Sequence, residues 1–364
     1  MIIEHMLIVF LLFYLLQISV MVFSVRRLRD FKDPSLHPLV SVVIAARNEE
    51  QHLAACLESV LRQSYDPALF EVVVVNDHSS DKTEEICSRF EANHTNVRHI
   101  NAKESSRLRG KTNALDQGIA EARGEIILIT DADCTVPPTW IASTAQRFAS
   151  GVGIVGGLTI QRATNWFGGM QSLDWVFLLG LAASTISLRV PLSTIGNNLS
   201  FRKSAYYGVG GYQNLPFSVT EDFVLFQAIV KTRVWDYLCP IDPEVLVTSQ
   251  PCENWRDLLR QKHRWGKGGL DMRLSGLMVM VVGFGYNALL VLSLLSGGFG
   301  WFLGGLGFKA AADYTFLRAV LRRLQRLELL RYFAAFEIYF ITYVLLLPFV
   351  VFFGGRVVWK GRSY

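Results

Sequence analysis

The sequence has little charge. Asp, Glu, Lys and Arg make up 18% of its 364 residues, against 51% hydrophobic residues, a balance too apolar for a purely soluble protein. It has few cysteines and no CxxC spacing: Cys56, Cys87, Cys134, Cys239 and Cys252 are odd in number and read as reduced, mostly buried thiols rather than a disulfide framework. There is no internal repeat and no low-complexity linker. No glycine-rich turn follows the first predicted strand, which argues against a dinucleotide ligand. The one GxGxxG, at Gly151, Gly153 and Gly156, precedes a strand-like run instead of opening a helix, so it is read as chance.

The apolar excess lies at the two ends. Residues 6–25, "MLIVFLLFYLLQISVMVFSV", contain no charge and as a helix would cover about 30 Å, the thickness of a bilayer's hydrocarbon. Glu4 and His5 precede it in place of a basic stretch, and no small-x-small site follows, so an uncleaved anchor is expected rather than a signal peptide. Arg26, Arg27 and Arg29 place its C-terminal side in the cytosol. The apolar region 274–317, punctuated by Gly297 and Gly298, reads as two spans joined by a tight turn, the second carrying Lys309 and Asp313 at a spacing that lets them pair. A basic amphipathic stretch is expected at 318–331, at or near anionic lipid. The last apolar segment, 332–355, leads to the basic tail 356–364; four full spans would put that tail outside, against the charge rule, so re-entry of the last segment is the alternative. The net charge of +5 comes largely from these flanking clusters and argues for a lipid surface, not nucleic acid.

Between the ends, residues 38–270 are expected to form one cytosolic domain, with a membrane anchor at 1–30 and a membrane region at 274–355. From 39 to 130, β-branched runs alternate with helical stretches: "LVSVVIAA", "EVVVV", "VRHIN" and "EIILIT" as strands, "NEEQHLAACLESVLRQ", "SDKTEEICSRFEA" and "KTNALDQGIAEA" as helices. The first helix is expected to start at an Asn48 cap with Gln51 completing a capping box. The alternation predicts an α/β fold with a wound, mainly parallel sheet. Past 135 the pattern breaks down and suggests a second lobe.

In open α/β sheets, ligands bind outside the carboxyl ends of the strands. Here those ends are "ARNEE", "NDHSSD" and "DADC", which bring acidic groups to one rim. Two carboxylates at such a mouth suit a hard divalent cation, Mg²⁺ or Mn²⁺, shared with a substrate's diphosphate.

Together, "SVVIAARNEE", "VVVVNDHSSD", "GKTNAL", "DADC", "TEDF" and "QKHRW" resemble the family 2 glycosyltransferases, an inverting group with a GT-A fold that includes cellulose, chitin and hyaluronan synthases and many lipid-glycosylating enzymes. The resemblance covers residues 38–266. It implies that Ala46 and Glu49 line the nucleotide pocket, that Asp77 contacts the base or ribose, that Lys111 lies close to the donor nucleotide, that Asp131 reaches the ribose or phosphate side, and that Asp133 ligates the metal. It implies Asp222 as general base with Glu221 beside it, Gln261 and Trp265 at the acceptor end, and Arg264 on the diphosphate. Asn76 stands where many relatives carry a second Asp. The stretch 196–212 resembles a loop closing over donor and acceptor, with Asn197 and Asn198 as weaker candidates; His78 and His263 are read as bystanders.

The expected activity is inverting, metal-dependent transfer of a sugar from a nucleotide-diphospho-sugar, a UDP-sugar by expectation, to a lipid or lipid-linked acceptor by a multi-pass protein of the cytoplasmic membrane. Alternatives are a processive polysaccharide synthase and a non-catalytic nucleotide-sugar sensor.

Overall fold

The computed structural model describes residues 2–28, 31–269, 274–355, 358–359 and 362–363. Arg29 and most of the basic tail lie outside the described residues.

The chain begins with a long apolar helix, α1 (Ile2–Arg27), then alternates β1 (Val40–Ala46), α2 (Leu53–Leu61), β2 (Phe70–Asn76), α3 (Thr83–Asn93), β3 (Val97–Asn101), α4 (Gly110–Glu121) and β4 (Ile126–Ile129). These strands are parallel, in spatial order β3-β2-β1-β4. Every residue of β2 and β4 is buried, as expected of strands covered on both faces.

The rest of the domain does not form a second lobe. After α5 (Trp140–Ala145) come β5 (Val152–Gly156), β6 (Thr159–Gln161), α6 (Trp166–Ser187), β7 (Leu199–Arg202), α7 (Lys203–Gly208), α8 (Gly211–Asn214), α9 (Glu221–Lys231), β8 (Asp236–Leu238) and β9 (Val247–Ser249). Strand β7 pairs antiparallel with β4, β5 antiparallel with β7, and β8 parallel with β5, so the same sheet grows to seven strands. The expected closing loop at 196–212 is instead a 3-10 turn followed by β7, inside the sheet, and two short helices.

Helix α2 starts at Leu53, not at Asn48. Asn48 adopts a left-handed φ of 52°, which Asn tolerates, and its side chain accepts from the Ser80 N–H at 2.9 Å. That bond ties the loop after β1 to the loop after β2, and the cap is lost to it.

The amphipathic helix α10 (Trp255–Gly269) is followed by α11 (Leu274–Leu295), α12 (Phe299–Leu324) and α13 (Phe333–Phe353). Among the described residues, three helical stretches are long and apolar enough to cross a membrane: Ile2–Arg27, Gly276–Leu295 and Leu327–Phe353. The expected amphipathic segment at 318–331 is divided, its first half continuing α12 and its second forming a 3-10 turn at Leu327–Tyr332. Lys309 and Asp313 do pair, Nζ to Oδ2 at 2.6 Å, and two further groups join them: Glu337 at 2.8 Å from Lys309, and Tyr14, whose hydroxyl donates to Asp313 at 2.5 Å. All of these side chains are buried, so α1, α12 and α13 are joined by one compensated polar cluster.

One hydrophobic cluster fills the sheet face packed by α2, α3 and α5. The other face, packed by α6 and α9, runs without a break into the helical bundle: Phe177 meets Phe316, Phe336 and Phe340 with ring centroids 4.8–5.8 Å apart. Helix α13 lies along α10, from the Trp255–Tyr339 ring pair to Gly354, where an added Cβ would stand 2.9 Å from His263 Nε2. Its far end therefore returns to α10.

Candidate active site

The three central strand ends bring their loops to one rim. Ala46 lies opposite Asn76, and Val43 opposite Ile129, so the Asp131–Asp133 turn leaves the sheet beside the end of β1. The first two loops are stitched together: Arg47 donates to the Asp77 carbonyl at 2.8 Å, and the Glu49 N–H donates to Thr83 Oγ1 at 2.7 Å. Glu49 and Asp77 are thereby held, both buried, at the rim.

Lys111, in the first turn of α4, crosses the mouth and places Nζ 2.6 Å from Asp131 Oδ1 and 3.2 Å from Glu221 Oε1. Burial opposes its charge, but Asp131 and Glu221 outweigh burial and hold the ammonium protonated well above the usual lysine range. One cation thus ties the β4 rim to the N-terminus of α9, whose first turn favours the acids Glu221 and Asp222.

Asp222 is a poised carboxylate. Burial, then repulsion from Glu221, raises its pKa to about 6, against the attraction of Lys111, the Phe223 N–H bond and Arg264. The Phe223 N–H donates to Asp222 Oδ1 at 2.9 Å. Two thiols support the other acidic pair: Cys134 Sγ donates to Asp133 Oδ1 and Cys56 Sγ to the Asp131 carbonyl, both at 3.4 Å. Burial, reinforced by the charges of Asp133 and Asp131, keeps both thiols neutral well above the usual cysteine range.

Helix α10 closes the site. Gln261, Arg264 and Trp265 face inward, and Trp265 packs on Trp175 of α6 with ring centroids 5.2 Å apart. Behind it, the fully buried Lys262 pairs with Asp174 and sets its Nζ 4.3 Å from the Trp265 ring centroid.

Ala46, Glu49, Asp77, Lys111, Asp131, Asp133, Glu221, Asp222, Gln261, Arg264 and Trp265 all line one cavity of about 190 Å³. The structure brings together all eleven of these main candidates. Asn197 lies in its wall, accepting from Thr159 Oγ1 at 2.8 Å, whereas Asn198 is structural, bonded to Trp140 and to the Leu158 and Val245 carbonyls. His78 and His263 do not line it. The sequence reading missed Arg47, Trp175, Gly196, Thr220, Ser249 and Gln250, which also line it. Trp175 is hidden in an apolar helix, and nothing local marks Gly196. A second cavity of about 600 Å³ meets the first at Glu221 and is lined by Leu108, Tyr212, Pro216 and Phe217.

The Glycosyl transferase family group 2 model matches residues 126–354, and the Glycosyl transferase family 2 model matches residues 41–210. The chain belongs to the family 2 glycosyltransferases. This glycosyltransferase is 28% identical over 239 residues, 65% of its length and 55% of the relative's, to a poly-β-1,6-N-acetyl-D-glucosamine synthase of Staphylococcus epidermidis. It is 26% identical over 236 residues, 64% of its length and 55% of the relative's, to the probable glycosyltransferase YdaM of Bacillus subtilis strain 168. The chain thus spans about half the length of these curated relatives. Among solved structures, a mannosyltransferase from Pyrobaculum calidifontis in complex with GDP-Man and Mn²⁺ superposes with a TM-score of 0.59 at 17% identity, covering 97% of this chain and 100% of that one. That likeness shows the fold: a GT-A-type α/β domain with a mostly parallel central sheet and apolar helices near both ends.

Proposed function

We propose that this protein is a membrane-bound, inverting glycosyltransferase that extends a glycan chain, taking sugar from a nucleotide-diphospho-sugar on the cytosolic side of the cytoplasmic membrane. The observation that carries the reading is the convergence of Asp133, Asp222 and Arg264 on one cavity, since these groups divide the work of a single displacement. The acceptor hydroxyl oxygen attacks the anomeric carbon as the bond to the diphosphate oxygen breaks, and Asp222 takes the hydroxyl proton. Arg264 offers a fork of N–H donors to the leaving diphosphate, where fixed positive charge lowers the barrier most. Lys111 keeps Asp131 and Glu221 from repelling the donor, and Trp265 offers an apolar face to a sugar ring.

A divalent ion fits this donor set. No group of three or more His, Cys, Asp or Glu side chains is arranged to hold a metal among the described residues, and Asp131 is engaged by Lys111, so Asp133 would be the protein ligand, with diphosphate oxygens completing the shell as Mg²⁺ and Mn²⁺ sites commonly allow. Such an ion supplies Lewis-acid stabilisation of the departing diphosphate.

Chain extension is preferred to the expected lipid acceptor because the synthase relatives are named for a polymer of N-acetylglucosamine. The cavity beyond Glu221, where Phe217 exposes an aromatic face, suits a sugar acceptor. Transfer to a lipid is the second reading, favoured by three helical stretches long and apolar enough to cross a membrane, which would hold the site at a bilayer. The return of α13 to His263 supports an arrangement in which this helix lies along the catalytic domain, with its end on the cytosolic side.

The test is product analysis. Detergent-purified protein is given radiolabelled UDP-N-acetylglucosamine and other nucleotide-sugars, with Mg²⁺ or Mn²⁺ and membrane extract. Alcohol-insoluble polymer supports chain extension; one sugar on an organic-extractable product supports the lipid reading; no transfer from any donor contradicts both.

A further inference from the structure

Helices α1 and α12 run side by side in the same direction: Tyr14 bonds Asp313, and further along, Arg323 donates to the Leu28 carbonyl at 2.7 Å. Their C-terminal ends therefore lie together, and between them is a groove of about 560 Å³ lined by Arg26, Arg318, Arg322 and Arg323. None of Arg26, Arg318 and Arg322 has a carboxylate partner among the described residues, and all three are exposed. Among the described residues, no Asp or Glu lines the groove. Asp313, although next to Tyr14 and Tyr314, is turned away and buried against Lys309.

Four guanidinium groups facing one groove repel each other, and an arrangement without carboxylates asks for an external anion. The position of the groove selects that anion. It opens where the apolar run of α1 ends, at the level of lipid headgroups if α1 spans a bilayer. Tyr314, 41% exposed, is on its lining at the place where interfacial aromatics gather. Thr315 Oγ1 donates to the Ala311 carbonyl at 2.7 Å, so its hydroxyl proton is committed within α12 and adds no donor to the groove. The binding groups are the arginines, whose planar forks match a phosphodiester. The C-terminal dipoles of both helices also favour keeping cations there before any ligand arrives.

We infer that this groove binds the phosphate of an anionic glycerophospholipid of the cytosolic leaflet, at a site separate from the sugar-transfer cavity. A lipid held there fixes the rotation and depth of α1 and α12, and through the buried cluster of Tyr14, Lys309, Asp313 and Glu337 it fixes α13, which packs on the helix carrying Arg264 and Trp265. The inference rests on the membrane placement of α1 and is independent of which sugar is transferred.

The experiment uses the full chain in neutral detergent, titrated with dioctanoyl phosphatidylglycerol, dioctanoyl phosphatidylcholine and inorganic phosphate, with binding read by native mass spectrometry and by the shift in melting temperature. Arg318→Gln/Arg322→Gln is compared with Arg326→Gln/Arg331→Gln, which removes equal charge outside the groove. The expected result is retention of phosphatidylglycerol over phosphatidylcholine, weakened at least about tenfold in the first variant and unchanged in the second. Equal loss in both variants would mean a diffuse basic surface, inorganic phosphate competing at equal affinity would mean a free-anion site, and equal binding of the two lipids would remove the selectivity; each overturns the inference. Flotation of both variants with phosphatidylcholine vesicles reports membrane insertion separately, so failure of the membrane reading is distinguished from failure of the groove. Melting of each variant without lipid, unchanged from the parent, shows that folding is not at issue.

Discussion

Gly196 faces the side chain of Asp222 so closely that a Cβ built on Gly196 would stand 3.0 Å from Asp222 Cβ and 3.1 Å from its Oδ2. The turn before β7 thus forms a wall against which the proposed base is held, and only a glycine leaves that wall flat. Gly196→Ala pushes the carboxylate from its place while keeping all ion pairs. The added methyl obliges Asp222 to give by a few tenths of an ångström, so we expect kcat to fall severalfold, short of the loss of about 10²-fold that a misplacement of about 1 Å costs, with little change in melting temperature. Steady-state kinetics beside a thermal melt checks this, and unchanged kcat would show that Asp222 tolerates displacement.

The pH profile follows from the raised pKa of Asp222. Protonated, this carboxyl cannot accept the acceptor's proton, so kcat/KM should fall as pH drops through about 6. Glu221 repels the charged form, and its removal in Glu221→Gln should move the acidic limb to lower pH. Lys111 stabilises the charged form, so Lys111→Met should move the limb to higher pH. Limbs that do not move, or move in the reverse sense, would count against the electrostatic arrangement.

Asp174 and Lys262 form a buried pair beneath Trp265. Lys262→Met leaves one buried carboxylate uncompensated, and losses of about 3–5 kcal/mol are typical of such broken pairs. Lys262→Met/Asp174→Leu removes both charges and should recover most of that stability. Denaturant unfolding of the single and double variants measures the difference; additive losses would show that the pair is not coupled.

Cys56 and Cys134 border the acidic pair yet are buried and held neutral. Only the thiolate is strongly nucleophilic, so N-ethylmaleimide at neutral pH should leave transfer intact. Rapid inactivation with label on Cys134 would mean that the rim opens far more than this structure indicates.

How much of this was legible in the sequence depended on how local each signal was. The strand ends before Asp77 and Asp131–Asp133 have strong periods, so their meeting on one rim could be anticipated, whereas the arrival there of Glu221–Asp222 and of Gln261–Trp265 was implied only by the resemblance of these short motifs to a known family. Asn48 misled because a cap and a left-handed bridge to Ser80 use the same residue type, and only the packing of two loops decides between them. The extension of the sheet was hidden because β5, β7 and β8 are short and β7 enters antiparallel from a distant part of the chain. Gly196 and Trp175 carry no local mark, since the one matters for what it lets approach and the other sits on a helix that is apolar on every side.

The most direct test of the central claim is sugar transfer from the preferred donor by Asp222→Asn, measured beside donor affinity. The replacement keeps the shape of the side chain and removes only its basicity. The account predicts transfer reduced by about 10²–10⁴-fold with donor affinity nearly unchanged. Transfer within a few-fold of the parent would contradict it.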